Sequence, residues 1–323
     1  MRSIATGLLA LVALLALVGP FLANDVPLVA RVDGRWRFPA FESQGGGFAS
    51  APDGGAWKDW WLTRPVDGPD FAVMPPWPHG PFEVHARAVL EGPSRAHPLG
   101  VDDSGRDQLT RLLHGARTAL LVALGAVVLS VTIGVAIGGL AGLAGGLVDA
   151  VLLRVIELFA SFPALLIALA CASLFGGSLL AVVVVLAIVQ WTQVARVVRG
   201  ELLSLRSRPF VEAARGFGIG PVPLLLRHVL PQLRGPLAVT SAFIAADAIQ
   251  VESALSFLGL GASSVSWGAM LDAGRAHAFS GAWHAWFFPG LALAVTVVGL
   301  HGLANRLGRI PSRALRPESA ACR

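Results

Sequence analysis

The chain has 323 residues, of which 54% are hydrophobic and only 14% are charged. Soluble domains average about 25% charged residues, so this composition excludes an ordinary soluble protein and is typical of a membrane protein. Lys58 is the only lysine and precedes Asp59, so the Gly-Lys-Ser/Thr sequence of a phosphate-binding P-loop is absent from these residues. If ATP drives this protein, another chain must hydrolyse it.

Six apolar stretches are each long enough to cross a bilayer core, which needs about 20 helical residues. Inside lipid only a helix satisfies every backbone hydrogen bond within its own segment, so all six are predicted to be helices. The sequence therefore predicts an all-α integral membrane protein with six transmembrane helices. The predicted spans are residues 4–23, 118–143, 148–175, 178–198, 236–258 and 283–303.

The first span has two interpretations. Arg2 could be the charged start of a cleaved signal peptide. However, residues 20–23 lack the small-x-small pattern that signal peptidase prefers, and the apolar run is long. We therefore interpret residues 1–23 as an uncleaved transmembrane anchor.

The distribution of arginine predicts the orientation. Residues 196–234 hold seven arginines against two acidic residues, and the C-terminal tail is also rich in arginine. Residues 24–117, by contrast, hold ten basic and twelve acidic residues. The positive-inside rule therefore places the 196–234 loop and both termini in the cytoplasm. The net charge of +5 then follows from membrane topology, and no nucleic-acid partner is expected.

The outer segment, residues 24–95, differs from the rest because it is rich in Gly, Pro and Trp. It shows little periodicity, so short strands and loops are expected. Its tryptophans are interpreted as packing or membrane-interface residues, with a ligand-binding surface as the alternative.

The loop of residues 199–235 carries the most informative pattern. Residues 210–217 predict a short helix, which Gly218 ends because glycine tolerates turn geometry. Pro221 suits the start of a second helix, which Pro231 ends before the next span. The sequence thus predicts a helix-turn-helix lying across the inner face of the membrane, a shape that fits a groove on a partner.

This loop resembles the EAA loop of ABC importer permeases, in which the loop forms the coupling helix that docks into a separate ATPase subunit. The resemblance implies that the matching residues contact the ATPase, that ATP and Mg bind that partner, and that this chain is not itself an enzyme. The matching residues are Glu212, Ala213, Ala214, Gly218, His228, Leu230 and Pro231.

Two further stretches narrow the resemblance. Residues 97–117 resemble the entry to the second span of dipeptide, oligopeptide and nickel permeases, and residues 252–268 resemble the end of their fifth span. Phe162 and Pro163 also fit the third span of that family. The resemblance covers roughly residues 96–289 and points to the C-type subunit of the permease pair.

The resemblance implies a type I ABC importer (MetI-like) permease fold. Residues 96–306 would be a five-helix core, residues 24–95 a long periplasmic insert after the first helix, and residues 307–323 a cytoplasmic tail. The implied partners are a second permease subunit in a heterodimer, two ATP-binding subunits and a periplasmic substrate-binding protein, in a bacterial inner membrane.

The implied cargo is a dipeptide, oligopeptide or modified peptide, with nickel or glutathione-like compounds as alternatives. The sequence departs from the family pattern in a shorter loop after Gly261 and in the missing acidic C-terminal ending. These departures leave the cargo open.

Charged residues within the spans are candidates for the translocation path or for pairing in the membrane. Arg154 and Glu157 lie three residues apart on one helical face and are predicted to pair. Asp247 and Glu252 lie five residues apart, about 140° around the helix, so they face different directions. For Asp247, path lining and helix contact both remain open.

Three charged residues precede the second span on its outer side: Asp102, Arg106 and Asp107. They are predicted to form a gate or a contact for the binding protein. The alternative is an N-terminal helix cap in which Ser104 or Asp103 accepts backbone N–H groups.

No metal site is predicted. His277 and His284 are seven residues apart, but neither a cysteine nor a third ligand accompanies them. Cys171 and Cys322 are interpreted as plain thiols.

A rival hypothesis is an integral membrane enzyme whose site lies in the outer segment. Its candidates, Asp59, Asp70, His79 and Glu83, show no recognisable motif spacing. The sequence therefore favours transport.

Overall fold

The computed structural model describes residues 2–40, 51, 55–63, 70–175, 178–206, 208–261, 263 and 265–309. The expectations for most of the tail, including Cys322, fall outside this range. Within it the chain is mainly helical. The helices are α1 Arg2–Leu22, α2 Trp57–Thr63, α3 Gln108–Ala144, α4 Gly146–Ser161, α5 Ala164–Phe175, α6 Leu179–Leu205, α7 Pro209–Gly216, α8 Pro221–Pro223, α9 Arg234–Phe257, α10 Trp267–Arg275 and α11 His284–Gly308, with a π-helical segment at Leu224–Val229 after α8.

The six predicted apolar stretches all lie in helices. Four of these helices are long and apolar enough to cross a membrane by themselves, namely α3, α6, α9 and α11. The pair α4 and α5 meets the same test when it is counted as one bent span, and α1 is a further apolar helix. The type I permease fold predicted above agrees with this arrangement.

The third predicted span is not one straight helix, which corrects the sequence prediction. Helices α4 and α5 meet at an angle of 81°. Pro163 has no N–H to continue the helix, and its ring disfavours helical geometry in the residue before it. Phe162 accordingly adopts an extended conformation with ψ 136°.

The bundle is organised around α3, which packs along α6. Gly134 and Gly138 make this approach possible, because a Cβ at Gly138 would lie 2.4 Å from the Ala195 carbonyl oxygen and one at Gly134 would lie 2.4 Å from Val194 Cβ. Small residues let two backbones come this close in a membrane. Gly146 continues the four-residue spacing of Gly134, Gly138 and Gly142, but it lies beyond the end of α3 and opens α4 with a φ of 56°.

Among its described residues, the insert after α1 is mostly irregular. A three-stranded antiparallel sheet has the order β2-β1-β3, formed by β1 Val29–Val32, β2 Arg35–Arg37 and β3 Phe71–Val73. One apolar cluster joins β1 to α2 through Val26, Ala30, Val32, Ala51 and Trp57. The tryptophan at the start of α2 is therefore a core residue, as the packing interpretation expects.

The connections collect at two opposite ends of the bundle. One end holds the insert and the turn before α11, where the His284 ring nitrogen Nε2 lies 3.0 Å from the Val101 carbonyl oxygen. The other end holds α7 and the π-helical segment, and Gly308 of α11 lies there beside Val239 near the start of α9. We call these the insert end and the loop end.

Candidate functional site

Helix α7 lies at the loop end with one face buried and the other open. Val211 and Ala214 are 2% and 6% exposed and belong to an apolar cluster with residues of α6, α9 and the π-helical segment. Glu212 and Ala213, the first two residues of the EAA pattern, point away from that cluster and are exposed. The third, Ala214, anchors the helix.

The exposed side of this loop is apolar. Phe217 is 87% exposed, and Val222 and Leu226 are 62% and 52% exposed. Large apolar side chains exposed together in a loop outside the predicted spans indicate an interaction surface. We call Glu212, Phe217, Val222 and Leu226 the coupling surface.

The turn between α7 and α8 depends on Gly218. Its φ of 76° lies in the left-handed region that other residues seldom adopt, and its surroundings leave room for a Cβ. The glycine is therefore required by backbone geometry, and crowding plays no part. This agrees with the predicted end of the first short helix.

The second half of the motif forms the far side of the turn. Pro221 opens α8, and the chain then adopts the wider π-helical geometry up to Val229. The Leu230 N–H closes this segment by donating to the Leu225 carbonyl at 2.7 Å. His228 and Leu230 are half-buried, and Pro231 is exposed just before α9.

At the insert end, Asp107 is the N-cap of α3. Its carboxylate accepts hydrogen bonds from the Thr110 N–H and hydroxyl at 2.8 and 2.9 Å and from the Trp77 indole at 3.3 Å. Its other oxygen lies 2.8 Å from Nδ1 of His97. The capping alternative thus holds for a residue other than the predicted Ser104 or Asp103, because Asp107 immediately precedes the first helical turn.

Asp102 organises the turn before that cap. One carboxylate oxygen accepts from the backbone N–H groups of Ser104 and Arg106. The other accepts from Arg106 Nε at 2.8 Å and lies 3.6 Å from Arg111 Nε. Asp102 and Asp107 are 3% and 0% exposed, so within this chain both carboxylates are occupied by internal contacts.

The two stretches that resemble peptide permeases contact each other. Trp267 donates its indole N–H to the Leu112 carbonyl at 3.0 Å, and Thr118 donates its hydroxyl to the Val265 carbonyl at 3.0 Å. A Cβ on Gly115 would lie 2.7 Å from the Trp267 ring. Residues far apart in sequence thus form one junction that fixes α3 against the start of α10.

The charges inside the spans have separate roles. Glu252 is 1% exposed and accepts a hydrogen bond from Ser256 at 2.6 Å, so it belongs to the end of α9 and its turn. Asp247 is half-buried and lies within hydrogen-bonding reach of Gln193 on α6. Arg154 donates to Glu157 at 2.8 Å, the predicted pair, with 84% and 49% of the two side chains exposed.

One ion pair was not anticipated. Arg199 near the end of α6 binds Asp149 in the first turn of α4 through Nε at 2.5 Å and Nη2 at 2.8 Å. The two residues are 50 positions apart, so no sequence spacing connects them. The pair ties α4 to the helix that leads into the loop.

The insert also contains a histidine cluster that the sequence analysis does not single out. His79, Glu83 and His85 offer ligand atoms that all lie within 4.8 Å of one another. The Asp59 and Asp70 carboxylates of the rival enzyme hypothesis are absent from this group.

Burial and neighbouring groups determine which side chains of this cluster are ionised. Burial raises the pKa of the Glu83 carboxyl, but the nearby His79 ring and the hydrogen bonds from Lys58 and the Gly80 backbone outweigh it and lower the pKa from 4.5 to about 2. Burial also lowers the pKa of His85 below its usual value of 6.5. Glu83 is therefore ionised and His85 neutral at pH 7.

The chain is similar to proteins of known class. Residues 134–316 match the family model described as "Binding-protein-dependent transport system inner membrane component". A Brucella ovis protein named as a peptide permease is 40% identical over 244 residues, covering 73% of this chain and 80% of the relative. The Bacillus subtilis dipeptide transport system permease protein DppC is 36% identical over 217 residues, covering 67% of this chain and 68% of the relative.

The fold has a relative among solved structures. A chain of the MetNI methionine ABC transporter in an inward-facing conformation matches with a TM-score of 0.51 and 18% identity, covering 61% of this chain and 94% of that one. The chain therefore belongs to the binding-protein-dependent transport system inner membrane components, a family of ABC importer permeases that are transport subunits and not enzymes.

Proposed function

We propose that this chain carries peptides across the bacterial inner membrane as one of two permease subunits. The observation that carries the proposal is the arrangement of α7, with Val211 and Ala214 anchored in the bundle and Glu212 and Phe217 exposed. A helix held on one side transmits a push or pull from a protein bound to the other side. The relatives named for peptide or dipeptide transport support the cargo class.

In this proposal two ATPase subunits bind from the cytoplasm, one of them at the coupling surface. Closure of the ATPases on ATP displaces α7, and the buried contacts of Val211 with the α6 region pass that movement to the spans. The substrate path, which lies between the two permeases, then opens toward the periplasmic binding protein.

The exposed face of α4 and α5 supports the proposal that a second membrane subunit binds there. Leu158, Phe162 and Leu166 are 57–60% exposed there, and the Arg154–Glu157 pair lies on the same helical segment. An exposed ion pair at membrane depth is costly in lipid, so such pairs usually face protein or a water-filled path. We propose that the second permease covers this face and that the pair lies near the shared path.

The proposed topology follows the arginine distribution. The anchor of residues 1–23 starts in the cytoplasm, and the tail of residues 307–323 lies there too. The insert of residues 24–95 lies in the periplasm. Arg106 is the member of the outer charged group that is only half-buried, so it is the one proposed to contact the binding protein.

The test compares Glu212→Gln with Glu201→Gln in the intact transporter in proteoliposomes. Glu201 lies at the same end of the molecule on α6, outside the coupling surface. We expect Glu212→Gln to lower peptide uptake about tenfold, which corresponds to about 1.4 kcal/mol, while subunit assembly and basal ATP hydrolysis persist. Glu201→Gln should transport normally.

Equal uptake by the two variants would show that α7 does not couple ATP use to transport. Competition of labelled peptide uptake by nickel or by glutathione distinguishes the alternative cargoes. Strong competition by either compound, with none by unlabelled peptides, would reject peptide as the cargo.

A further inference from the structure

Two histidines and one glutamate in the insert form a triangle of ligand atoms that the transport mechanism does not use. Nδ1 of His79 lies 3.2 Å from Nε2 of His85. Glu83 Oε2 lies 3.7 Å from the His79 nitrogen, and the other carboxylate oxygen, Oε1, lies 3.8 Å from the His85 nitrogen.

These separations fit a single small cation. Zinc binds histidine nitrogen and carboxylate oxygen at about 2.0–2.2 Å in a tetrahedron, which places neighbouring ligand atoms about 3.3 Å apart. With one ligand atom taken from each residue, the three atoms all lie within 4.8 Å of one another, so a shift of the Glu83 side chain brings a single oxygen to that distance from both nitrogens. Imidazole ligands favour zinc-class transition metals over magnesium or calcium.

The backbone holds the three side chains in place. The Gly80 N–H donates to Glu83 Oε2 at 3.1 Å, and the His85 N–H donates to the Gly105 carbonyl at 2.6 Å. The His97 ring, fixed by Asp107, packs against His79 and His85 with centroid separations of 5.1 and 5.0 Å. These contacts preorganise the site before a metal binds.

The cluster is accessible and already attracts a positive charge. The side chains of His79, Glu83 and His85 are 18%, 22% and 23% exposed, so an ion can reach them from solvent. The Lys58 ammonium lies 2.6 Å from Glu83 Oε1. Without a metal, this ammonium neutralises the charge of the Glu83 carboxylate. A bound divalent cation would neutralise it instead.

We propose that His79, Glu83 and His85 bind one zinc-class divalent cation, with a fourth position left to water, and that metal binding displaces the Lys58 ammonium from Glu83. The ion would join the turn of residues 79–85 into one rigid unit beside the segment that leads into α3. This proposal is independent of the coupling role of α7, because it concerns only the insert.

The test uses the full-length protein purified without a histidine tag and stripped of metal. Titration with Co²⁺ should give the intense visible absorption of tetrahedral cobalt at one ion per chain, and Zn²⁺ should displace it. Loss of an outer hydrogen-bond partner alone costs about 10- to 100-fold in metal affinity. We therefore expect His79→Gln and His85→Gln, which remove ligands, to weaken binding at least about 100-fold.

Two further variants serve as a control for the site and as a test of the displacement of Lys58. His277→Gln removes a histidine at the same end of the molecule but outside the cluster, so its metal affinity should equal that of the unchanged protein. Lys58→Met removes the competing ammonium and should bind the metal more tightly. Thermal unfolding without metal checks that each variant is folded, and Glu83→Gln replaces any histidine variant that is not.

Equal affinity in the unchanged protein and in folded His79→Gln or His85→Gln would overturn the site, as would the weak spectrum of octahedral cobalt. Unchanged affinity in Lys58→Met would overturn the displacement step. None of these measurements requires the ATPase or transport, so a failure here is separate from a failure of the coupling proposal.

Discussion

Asp107 shows how much one buried side chain can hold together. It caps α3 and also binds the Trp77 indole of the insert and the His97 ring. The sequence places this residue among the gate candidates and gives a cap at Ser104 or Asp103 as the alternative. The correct assignment needed the register of α3, which begins at Gln108, ten residues before the apolar run predicted as a span.

At this scale we predict that Asp107→Ala destabilises the protein by about 3 kcal/mol, because it removes a cap worth about 1 kcal/mol and leaves buried donors unpaired. Asp103→Ala, at an exposed neighbour, should change stability by less than about 0.5 kcal/mol. Thermal unfolding of the two variants in detergent provides the comparison. Equal midpoints would show that the Asp107 contacts do not stabilise the junction.

At the level of elements, helices α3 and α6 show how the spacing of small residues relates to packing. A stripe with four-residue spacing predicts a close helix contact, and Gly134, Gly138 and Gly142 meet Val194, Ala195 and Leu202. The bend between α4 and α5 was not predicted, although Pro163 is visible in the sequence. Proline can kink a span or end it, and only the packing of both halves decides between the two.

For this contact we predict that Gly138→Ala prevents the close approach, because the added Cβ would lie 2.4 Å from a backbone oxygen that cannot move aside. Gly200→Ala on α6 is the control, since nothing lies within 4 Å of a Cβ there. We expect a lower yield of monodisperse protein for Gly138→Ala and an unchanged or higher yield for Gly200→Ala, which gains helix propensity. Size-exclusion chromatography in detergent measures both, and equal profiles would contradict the packing argument.

The whole molecule has two ends with different chemistry, which the proposed topology places on opposite sides of the membrane. The loop end gathers the arginine-rich segment and the coupling surface, while the insert end gathers the sheet, the α3 junction and the histidine cluster. Arginine counts predict which end is cytoplasmic, because the rule concerns short loops beside the spans.

We predict that a membrane-impermeant thiol reagent labels Phe82→Cys in intact cells and labels Ser204→Cys only after the inner membrane is opened. Both positions are exposed, one in the insert and the other near the end of α6. Cys171 and Cys322 are first replaced by serine so that each variant carries one thiol. Labelling of Ser204→Cys from outside would show that the orientation is opposite to the one proposed.

The sequence by itself determined the membrane class, the apolar segments and the loop pattern that resembles the EAA loop, because these depend on composition and on spacing along one chain. The tertiary structure decided which side of α7 is free, how residues 97–117 meet residues 252–268, and that Arg199 pairs with Asp149. It also brought His79, Glu83 and His85 together through a turn that no helical or strand period predicts. Such contacts depend on where loops fold back, which local patterns do not encode.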